Sequence, residues 1–126
     1  MNSLYLLDLA SRQAGWLSAR QTVIAGNVAN VDTPGYRARD VEPFTETLET
    51  TRLAMAATAP GHIPAGAMQA GDVPTAKQKG WEVKASGNSV TLEAELLKSG
   101  QVGRAYSLNT AIVKSFHTML MMSAKS

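Results

Sequence analysis

The sequence has 126 residues, 44% of them hydrophobic, with 12 basic and 10 acidic side chains and a formal net charge of +2. Lysine and arginine nowhere form a run of three, so the sequence lacks the basic stripe that neutralises many phosphates and predicts no nucleic-acid partner. The absence of cysteine excludes disulfides, a thiolate nucleophile and Cys-ligated zinc.

Signals for membranes and secretion are also missing. No segment approaches the ~20 apolar residues of a transmembrane helix. A cleavable signal peptide needs a positively charged start and an unbroken apolar stretch, but Leu4–Ala10 is interrupted by Asp8 and no Lys or Arg precedes it. We therefore expect a chain that does not itself span a membrane and that, if exported, leaves the cytoplasm without cleavage of a signal peptide.

Proline and glycine divide the chain into three parts. All 5 prolines and six of the 10 glycines lie between Asp32 and Asn88, while the flanks contain no proline. Proline-free flanks with apolar residues at helical spacing favour helices. We predict an N-terminal coiled-coil helix over residues 1–31, a turn motif, short helix and flexible or extended middle over 32–88, and a C-terminal coiled-coil helix over 89–126.

The N-terminal block carries a heptad pattern from Leu7 to Val31, in which seven of eight positions are apolar. This narrow stripe is typical of a coiled-coil seam, the line of side chains that meets a partner helix. Small residues also recur at every fourth position as far as Gly26, a ridge that lets a neighbouring backbone approach closely, unless it only reflects how common alanine and serine are in helices. The predicted pairing and assembly residues are Leu7, Ala10, Ala14, Leu17, Ile24 and Val28.

A polar turn motif ends this helix. Proline disfavours the helical conformation at Thr33, and Pro34-Gly35 is typical of the centre of a type II turn with glycine in the left-handed region. The asparagines, Asp32 and Thr33 are expected to make local hydrogen bonds to the last helical carbonyls and the turn rather than to bind a ligand. The motif residues are Asn27, Asn30, Thr33, Pro34, Gly35 and Tyr36.

The middle of the chain predicts little regular structure. Pro43 and the apolar residues that follow it indicate a short helix of about 12 residues with proline in its first turn. From Ala57 to Lys79 large apolar side chains are so sparse that the segment should be mobile when it has no partner. Residues 81–86 alternate between apolar and polar, which fits a brief strand or an extended segment lying along a helix.

A helix start signal precedes the C-terminal block. Ser89 or Thr91 is predicted to cap the helix, with Glu93 and Glu95 in the first turn suiting the helix dipole. Small residues again recur at every fourth position further along the block. Its apolar stripe predicts a second set of pairing and assembly residues: Leu92, Leu96, Tyr106, Val113, Phe116 and Leu120.

The sequence contains no arrangement that predicts catalysis. No serine lies in a nucleophile elbow, and no glycine loop is followed by Lys-Ser or Lys-Thr. His62 and His117 have no acidic or histidine neighbour at metal-ligand spacing, and Glu93 and Glu95 point to different faces of a helix. We predict a protein that is not an enzyme, with no catalytic residue, metal, cofactor or small-molecule substrate.

A hairpin of two helices buries only one stripe of each helix. The predicted fold is mainly α, with long N- and C-terminal helices paired as an antiparallel coiled-coil hairpin and a Pro/Gly-rich, partly extended middle segment. The remaining apolar surface indicates that neighbouring chains complete the fold and that the isolated chain is only marginally stable.

Two other kinds of protein compete with a subunit of an assembly. The first is a small secreted helical hairpin that dimerises with a partner, although no Trp-x-Gly turn of the kind such proteins carry is present. The second is an amphipathic protein on a membrane surface, whose polar face should be rich in Lys and Arg. The first helix is not rich in Lys and Arg, because its charged residues are Asp8, Arg12 and Arg20.

The residues around the turn resemble the N-terminal signature of bacterial flagellar rod and hook proteins, in which Ala-Asn-x-x-Ala-Asn-x-x-Thr-Pro-Gly-Tyr ends the first helix. Here the pattern runs from Ala25 to Tyr36, with Gly26 in place of the first Asn. The continuation Arg37–Val41 and the total length resemble the proximal rod members of this family rather than its longer distal rod or hook proteins. The C-terminal block resembles the family's terminal helix more loosely.

This resemblance implies a structural protein of the flagellar basal body: a proximal rod subunit that self-assembles with other rod proteins into the periplasm-crossing drive shaft and export conduit. It also implies export through the flagellar type III apparatus. The implied partners are copies of the chain, other rod proteins, the adaptor between rod and membrane ring, and the export gate. In the family the terminal helices pair as a coiled coil lining the inner tube, and the middle contacts neighbouring subunits.

Overall fold

The computed structural model describes residues 3–49, 75–77 and 87–125. It is mainly helical, with the elements α1 (Ser3–Ala29), β1 (Arg39–Val41), β2 (Thr75–Lys77) and α2 (Leu92–Ala124). The two helices pack against each other, which confirms the predicted long terminal helices. The expectations for 57–79, apart from the strand at 75–77, and for 81–86 lie outside the described residues.

α1 runs without interruption for 27 residues, a length of about 40 Å. On its exposed surface Arg12 Nε donates a hydrogen bond to Asp8 Oδ2, one turn earlier in the helix, at 2.9 Å. The helix ends at Ala29, and the Asn30 N–H donates to the Asn27 carbonyl at 3.1 Å in a tightened last turn. Within the described residues neither helix has a stretch that is long and apolar enough to cross a membrane.

The two strands, which come between α1 and α2 in the sequence, form a small sheet. β1 and β2 pair in antiparallel fashion, with Arg39 opposite Lys77 and Val41 opposite Thr75. After β1, residues 44–49 are helical, and the Pro43 carbonyl accepts the Thr47 N–H at 3.1 Å. The predicted short helix is therefore present, although Pro43 stands just before its first turn rather than within it, and its predicted continuation past 49 lies outside the described residues.

α2 begins after Thr91, whose backbone is extended at the N-cap position. Within the described residues the Thr91 side chain makes no capping hydrogen bond, and its carbonyl accepts the Glu95 N–H at 3.1 Å. The Ser89 hydroxyl instead accepts the Ala38 N–H at 2.8 Å. Thr91 is therefore at the predicted cap position but supplies no side-chain hydrogen bond, and Ser89, the other candidate, holds the segment that leads into β1.

The buried apolar core of the described residues is small and lies on two faces of α1. One cluster joins Leu17 and Ile24 of α1 to Val102 of α2. The other joins Ala19 of α1 to Val41 of β1. The buried apolar residues are Ala10, Leu17, Ala19, Ile24, Ala38, Val41, Val90 and Val102.

Trp16 packs against both clusters and fastens the segment after β1 to α1. Its indole N–H donates to the Glu42 carbonyl at 2.8 Å. Its ring lies 5.9 Å from that of Phe44 at an interplanar angle of 54°, and the Arg20 guanidinium lies 5.6 Å from its centroid. α1 is therefore covered by α2 on one face and by residues 39–44 on another.

Candidate functional site: a buried clasp and exposed helix faces

The turn motif has the predicted geometry at its tip. The Tyr36 N–H donates to the Thr33 carbonyl at 3.2 Å, and Gly35 has a φ of 72°, where a side chain would be strained. The Thr33 hydroxyl donates to Asn30 Oδ1 at 3.1 Å, and Asn30 Nδ2 donates to the Gly26 carbonyl at 2.8 Å. Asn30 and Thr33 therefore make the local hydrogen bonds expected of them.

Asn27, which is 0% exposed, makes contacts far from its own turn. Its amide pairs with the backbone of Arg39, since Nδ2 donates to the carbonyl at 2.7 Å and Oδ1 accepts the N–H at 3.0 Å. Oδ1 also accepts the Tyr36 hydroxyl at 3.4 Å, and Nδ2 donates to Glu95 Oε2 at 3.1 Å. One side chain thus joins α1, β1 and α2, a role beyond the local one predicted for it.

Asn88 is the second buried asparagine at this end of the helix pair. Its Nδ2 donates to the carbonyls of Asn30, Val31 and Thr33 at 2.9, 3.0 and 2.7 Å. Its Oδ1 accepts the Val90 N–H at 2.7 Å. A single amide thereby satisfies carbonyls at the end of α1 and in the turn, a position where helical carbonyls lack partners in the helix itself.

The two glycine turns are in contact. Gly87 has a φ of 77°, and a Cβ placed on it would lie 3.5 Å from the Cα of Gly35. The Ser89 N–H donates to the Tyr36 carbonyl at 3.0 Å. Residues 27–39, 87–90 and Glu95 thus form one hydrogen-bonded unit, which we call the clasp.

A series of linked ion pairs lies beside the clasp. The Arg20 guanidinium donates to the two carboxylate oxygens of Asp40 at 3.1 and 3.3 Å. Lys98 Nζ lies 3.6 Å from Asp40 and 3.0 Å from Glu95 Oε1. Glu95, 1% exposed, therefore has Lys98 on one oxygen and Asn27 on the other. Every buried side-chain nitrogen and oxygen among the described residues has a hydrogen-bond partner.

The predicted seam of α1 lies partly inside the contact with α2. Leu17 and Ile24 contact Val102, and the Ala10 carbonyl accepts the Asn109 Nδ2 hydrogen bond at 3.0 Å. Of the six predicted residues, Ala10, Leu17 and Ile24 are buried, Ala14 and Val28 are half-buried, and Leu7 is exposed.

Two of the predicted residues of α2, Tyr106 and Val113, line the groove between α2 and α1, and none of the six is fully buried there. The residues that α2 buries are Glu95, Val102 and Asn109, at intervals of seven. Apolar residues alone could not identify this face, because two of its three buried residues are polar. The seven-residue interval between the three is the feature of the sequence that marks the face. Of the six predicted residues, Leu92, Leu96, Tyr106 and Leu120 are exposed, and Val113 and Phe116 are half-buried.

A second set of exposed apolar residues lies along one flank of α2, outside the row of Glu95, Val102 and Asn109. We call it the outward stripe. Exposed apolar residues gathered on one side of a helix indicate a surface that another molecule covers. It consists of Leu97, Leu108, Ile112, Met119 and Met122, all 45–69% exposed.

The small-residue ridges leave open space. No atom of the described residues lies within 4 Å of a Cβ built on Gly26 or Gly103, apart from each helix's own backbone and the residues adjoining the glycine. Packing within this part of the chain therefore gives no reason for glycine at either position. Among the same residues no group of three His, Cys, Asp or Glu side chains is arranged to hold a metal ion.

Comparisons with known proteins identify the class of protein to which this chain is similar. A family model described as "Flagella basal body rod protein" matches residues 17–37, which include the end of α1 and the turn motif.

Relatives extend this likeness over the whole chain. The flagellar basal body rod protein FlgB of Agrobacterium fabrum is 42% identical over 131 aligned residues, covering 99% of this chain and 96% of that protein. FlgB of Salmonella typhimurium is 30% identical over 104 residues, 76% of this chain and 75% of that protein. The chain therefore belongs to the FlgB family of flagellar basal body rod proteins and is a structural component of that rod. This family assignment decides against the small secreted hairpin left open by the sequence.

Proposed function

We propose that this chain is a proximal rod subunit that assembles with other rod proteins and with copies of itself into the shaft and export conduit crossing the periplasm. The observation that carries the proposal is the outward stripe, because these exposed apolar side chains lie outside the buried row of α2 and are available to lateral neighbours. The role is mechanical rather than catalytic, as the structural nature of the family supports.

Within the subunit, α1 and α2 would pair as an antiparallel coiled coil. Three contacts support this: Asn27 with Glu95, Gln21 with Ser99, and Ala10 with Asn109. Residue numbers fall along α1 as they rise along α2, and the buried residues of α2 recur at the heptad interval.

The predicted site residues then fall into two groups. The seam residues of α1, above all Leu17 and Ile24, hold α2. The exposed residues of α2, among them Leu96, Tyr106 and Leu120, contact neighbouring subunits. In this proposal the parts 1–31 and 89–126 form the inner tube, and the middle part, 32–88, contacts neighbours.

The proposed location follows from membership of the rod family. The chain would leave the cytoplasm through the flagellar export apparatus without cleavage and would add to the rod in the periplasm. Its partners there would be the export gate, the adaptor between rod and membrane ring, and the adjoining rod proteins.

Substitutions on the outward stripe test the proposal. Leu108→Asp and Met119→Asp place a charge on side chains that are 63% and 60% exposed, so the fold of the subunit should survive while the contact with neighbours is lost. Thr110→Asp is the matched control, because Thr110 is exposed and lies two residues, and therefore about half a turn, from Leu108 on the same helix.

Each variant would replace the native copy in the bacterium of origin, with swimming in soft agar and the protein content of purified basal bodies as readouts. We expect Leu108→Asp and Met119→Asp to abolish swimming and to leave the chain absent from basal bodies, while Thr110→Asp swims. Normal swimming by both stripe variants would refute the proposed surface.

A further inference from the structure

The buried face of α2 is unusual for a helix pair. Its residues Glu95, Val102 and Asn109 follow the heptad interval of a coiled coil, whose inward positions are normally apolar. A polar residue at such a position lowers stability but restricts the helices to one register, because other registers leave a buried group without hydrogen bonds.

Both polar residues have partners on α1 that depend on alignment. Glu95 Oε2 accepts from Asn27 Nδ2 at 3.1 Å, and Asn109 Nδ2 donates to the Ala10 carbonyl at 3.0 Å. A slip of one heptad toward the clasp would place Asn109 beside Leu17 and carry Glu95 past Ala29, the last residue of α1. The buried carboxylate would then lose Asn27, and Asn109 would lie against an apolar side chain.

We propose that Glu95 and Asn109 are positioning residues that fix the register of α1 against α2 and thereby set which apolar residues of α2 remain for neighbouring subunits. Glu95 is itself held by Lys98, which also contacts Asp40 of the β1 strand, so the register is tied to a third element. The part of the proposal that concerns neighbours rests on the proposed rod function.

Register matters for the surface because it determines how far α2 extends past α1. With Asn109 at Ala10, the start of α1 at Ser3 lies near position 116, and α2 continues for about two further turns to Ala124. Leu120 continues the inward row of α2 into this overhang and is 42% exposed. A one-heptad slip would draw Leu120 alongside α1 and shorten the overhang.

The chain contains no cysteine, so engineered cysteine pairs report register without background. Gln21→Cys with Ser99→Cys reads the observed register, in which the Gln21 Nε2 to Ser99 Oγ distance is 3.4 Å. Gln21→Cys with Tyr106→Cys reads the one-heptad slip. Each pair would be placed in the full chain with the parental residues, with Glu95→Leu/Asn109→Leu, or with Glu95→Gln, replacing the native copy in the bacterium of origin.

Oxidation of cells followed by mass spectrometry gives the ratio of 21–99 to 21–106 linked peptides. We expect the 21–99 link to dominate in the parent and the ratio to fall about tenfold or more in Glu95→Leu/Asn109→Leu, because apolar inward residues accept several registers. Glu95→Gln keeps an acceptor for Asn27 and should stay within about twofold of the parent.

A parental ratio in Glu95→Leu/Asn109→Leu would overturn the register role, whatever its swimming. If that variant is degraded, Asn109→Leu alone is read with the same pairs, and a parental ratio has the same meaning. A shifted ratio with normal swimming would overturn the link between register and the assembly surface. It would leave the rod function to be judged separately by Leu108→Asp and Met119→Asp.

Discussion

The two ends of the helix pair are built from different kinds of contact. At the clasp end, Asn27, Asn88 and Glu95 are buried and fully hydrogen-bonded, and the chain closes on itself. At the other end α2 extends past α1 with Met121 and Met122 exposed. Hydrogen bonds are directional and specify one partner, whereas apolar contact is not directional. The clasp is thus suited to fix the subunit's own fold, and the open end to accept a neighbour.

The largest effect on the fold of the subunit should come from Leu17→Asp. Leu17 is 2% exposed and packs on Ile24 and Val102, so a carboxylate there has no partner and costs about 3–5 kcal/mol, more than this small core can offset. We expect the helix pair, rod assembly and swimming to be lost while the chain is still exported into the medium.

Ser11→Asp is the matched control, because Ser11 is an exposed residue of the same helix outside the small-residue ridge. It should swim. If Leu17→Asp swims as well, Leu17 is not part of a contact that the subunit needs.

The next effect isolates the clasp. Asn88→Ala removes a donor from three carbonyls and leaves the buried Val90 N–H without its acceptor. We expect the free energy of unfolding to fall by about 3 kcal/mol, measured as the urea midpoint of the helical circular dichroism signal in a stabilising osmolyte.

Thr33→Ala, which removes only the exposed hydroxyl bond to Asn30, should cost about 1 kcal/mol or less under the same conditions. Equal midpoints for the two variants would mean that the clasp adds nothing beyond an ordinary turn.

The same contrast explains what the sequence could predict. The helices, the turn at Gly35 and the α1 residues Leu17 and Ile24 were accessible, because helix breakers, turn residues and apolar periodicity act locally and leave a pattern in the sequence. The pairing of Asn27 with Arg39 and Glu95 was not, since an asparagine beside a turn has the same local pattern whether its amide stays local or bonds a distant strand.

The buried residues on the inward face of α2 were missed for a related reason, although Tyr106 and Val113 beside them were predicted. A search for apolar residues selected Leu92 and Leu96, which are exposed, and passed over Glu95, which is buried. Burial of a carboxylate depends on Asn27 and Lys98, whose positions only the folded chain defines. The exposed leucines are better explained by neighbours than by the subunit's own core.

Replacing glycine by alanine should change the free energy of unfolding in opposite directions at Gly87, in the clasp, and at Gly26, in open space on α1. Gly87→Ala puts a side chain on a residue with a φ of 77° and should lower the free energy of unfolding by about 1–2 kcal/mol. Gly26→Ala, in open space on α1, should raise it by about 1 kcal/mol. The same urea unfolding experiment measures both.

Gly26→Ala also tests whether a neighbour occupies that space. A variant that is more stable as an isolated chain yet swims poorly would indicate that a neighbouring backbone approaches Gly26 in the rod. Full swimming would mean that this part of the small-residue ridge is not an assembly contact.

The smallest effects compare ion pairs at the two ends. Near the open end Asp8 forms an ion pair with Arg12, and the Asp8 side chain is 58% exposed. Asp8→Asn should therefore change the free energy of unfolding by about 0.5 kcal/mol or less. Asp40, with a side chain 19% exposed, bonds Arg20 and contacts Lys98, so Asp40→Asn should cost about 1–3 kcal/mol. Urea midpoints at low and high salt measure both, and the Asp8 effect should disappear at high salt, because exposed charges are screened. If Asp40→Asn were as mild as Asp8→Asn, the ion pairs beside the clasp would not support it, and its stability would rest on the asparagine amides.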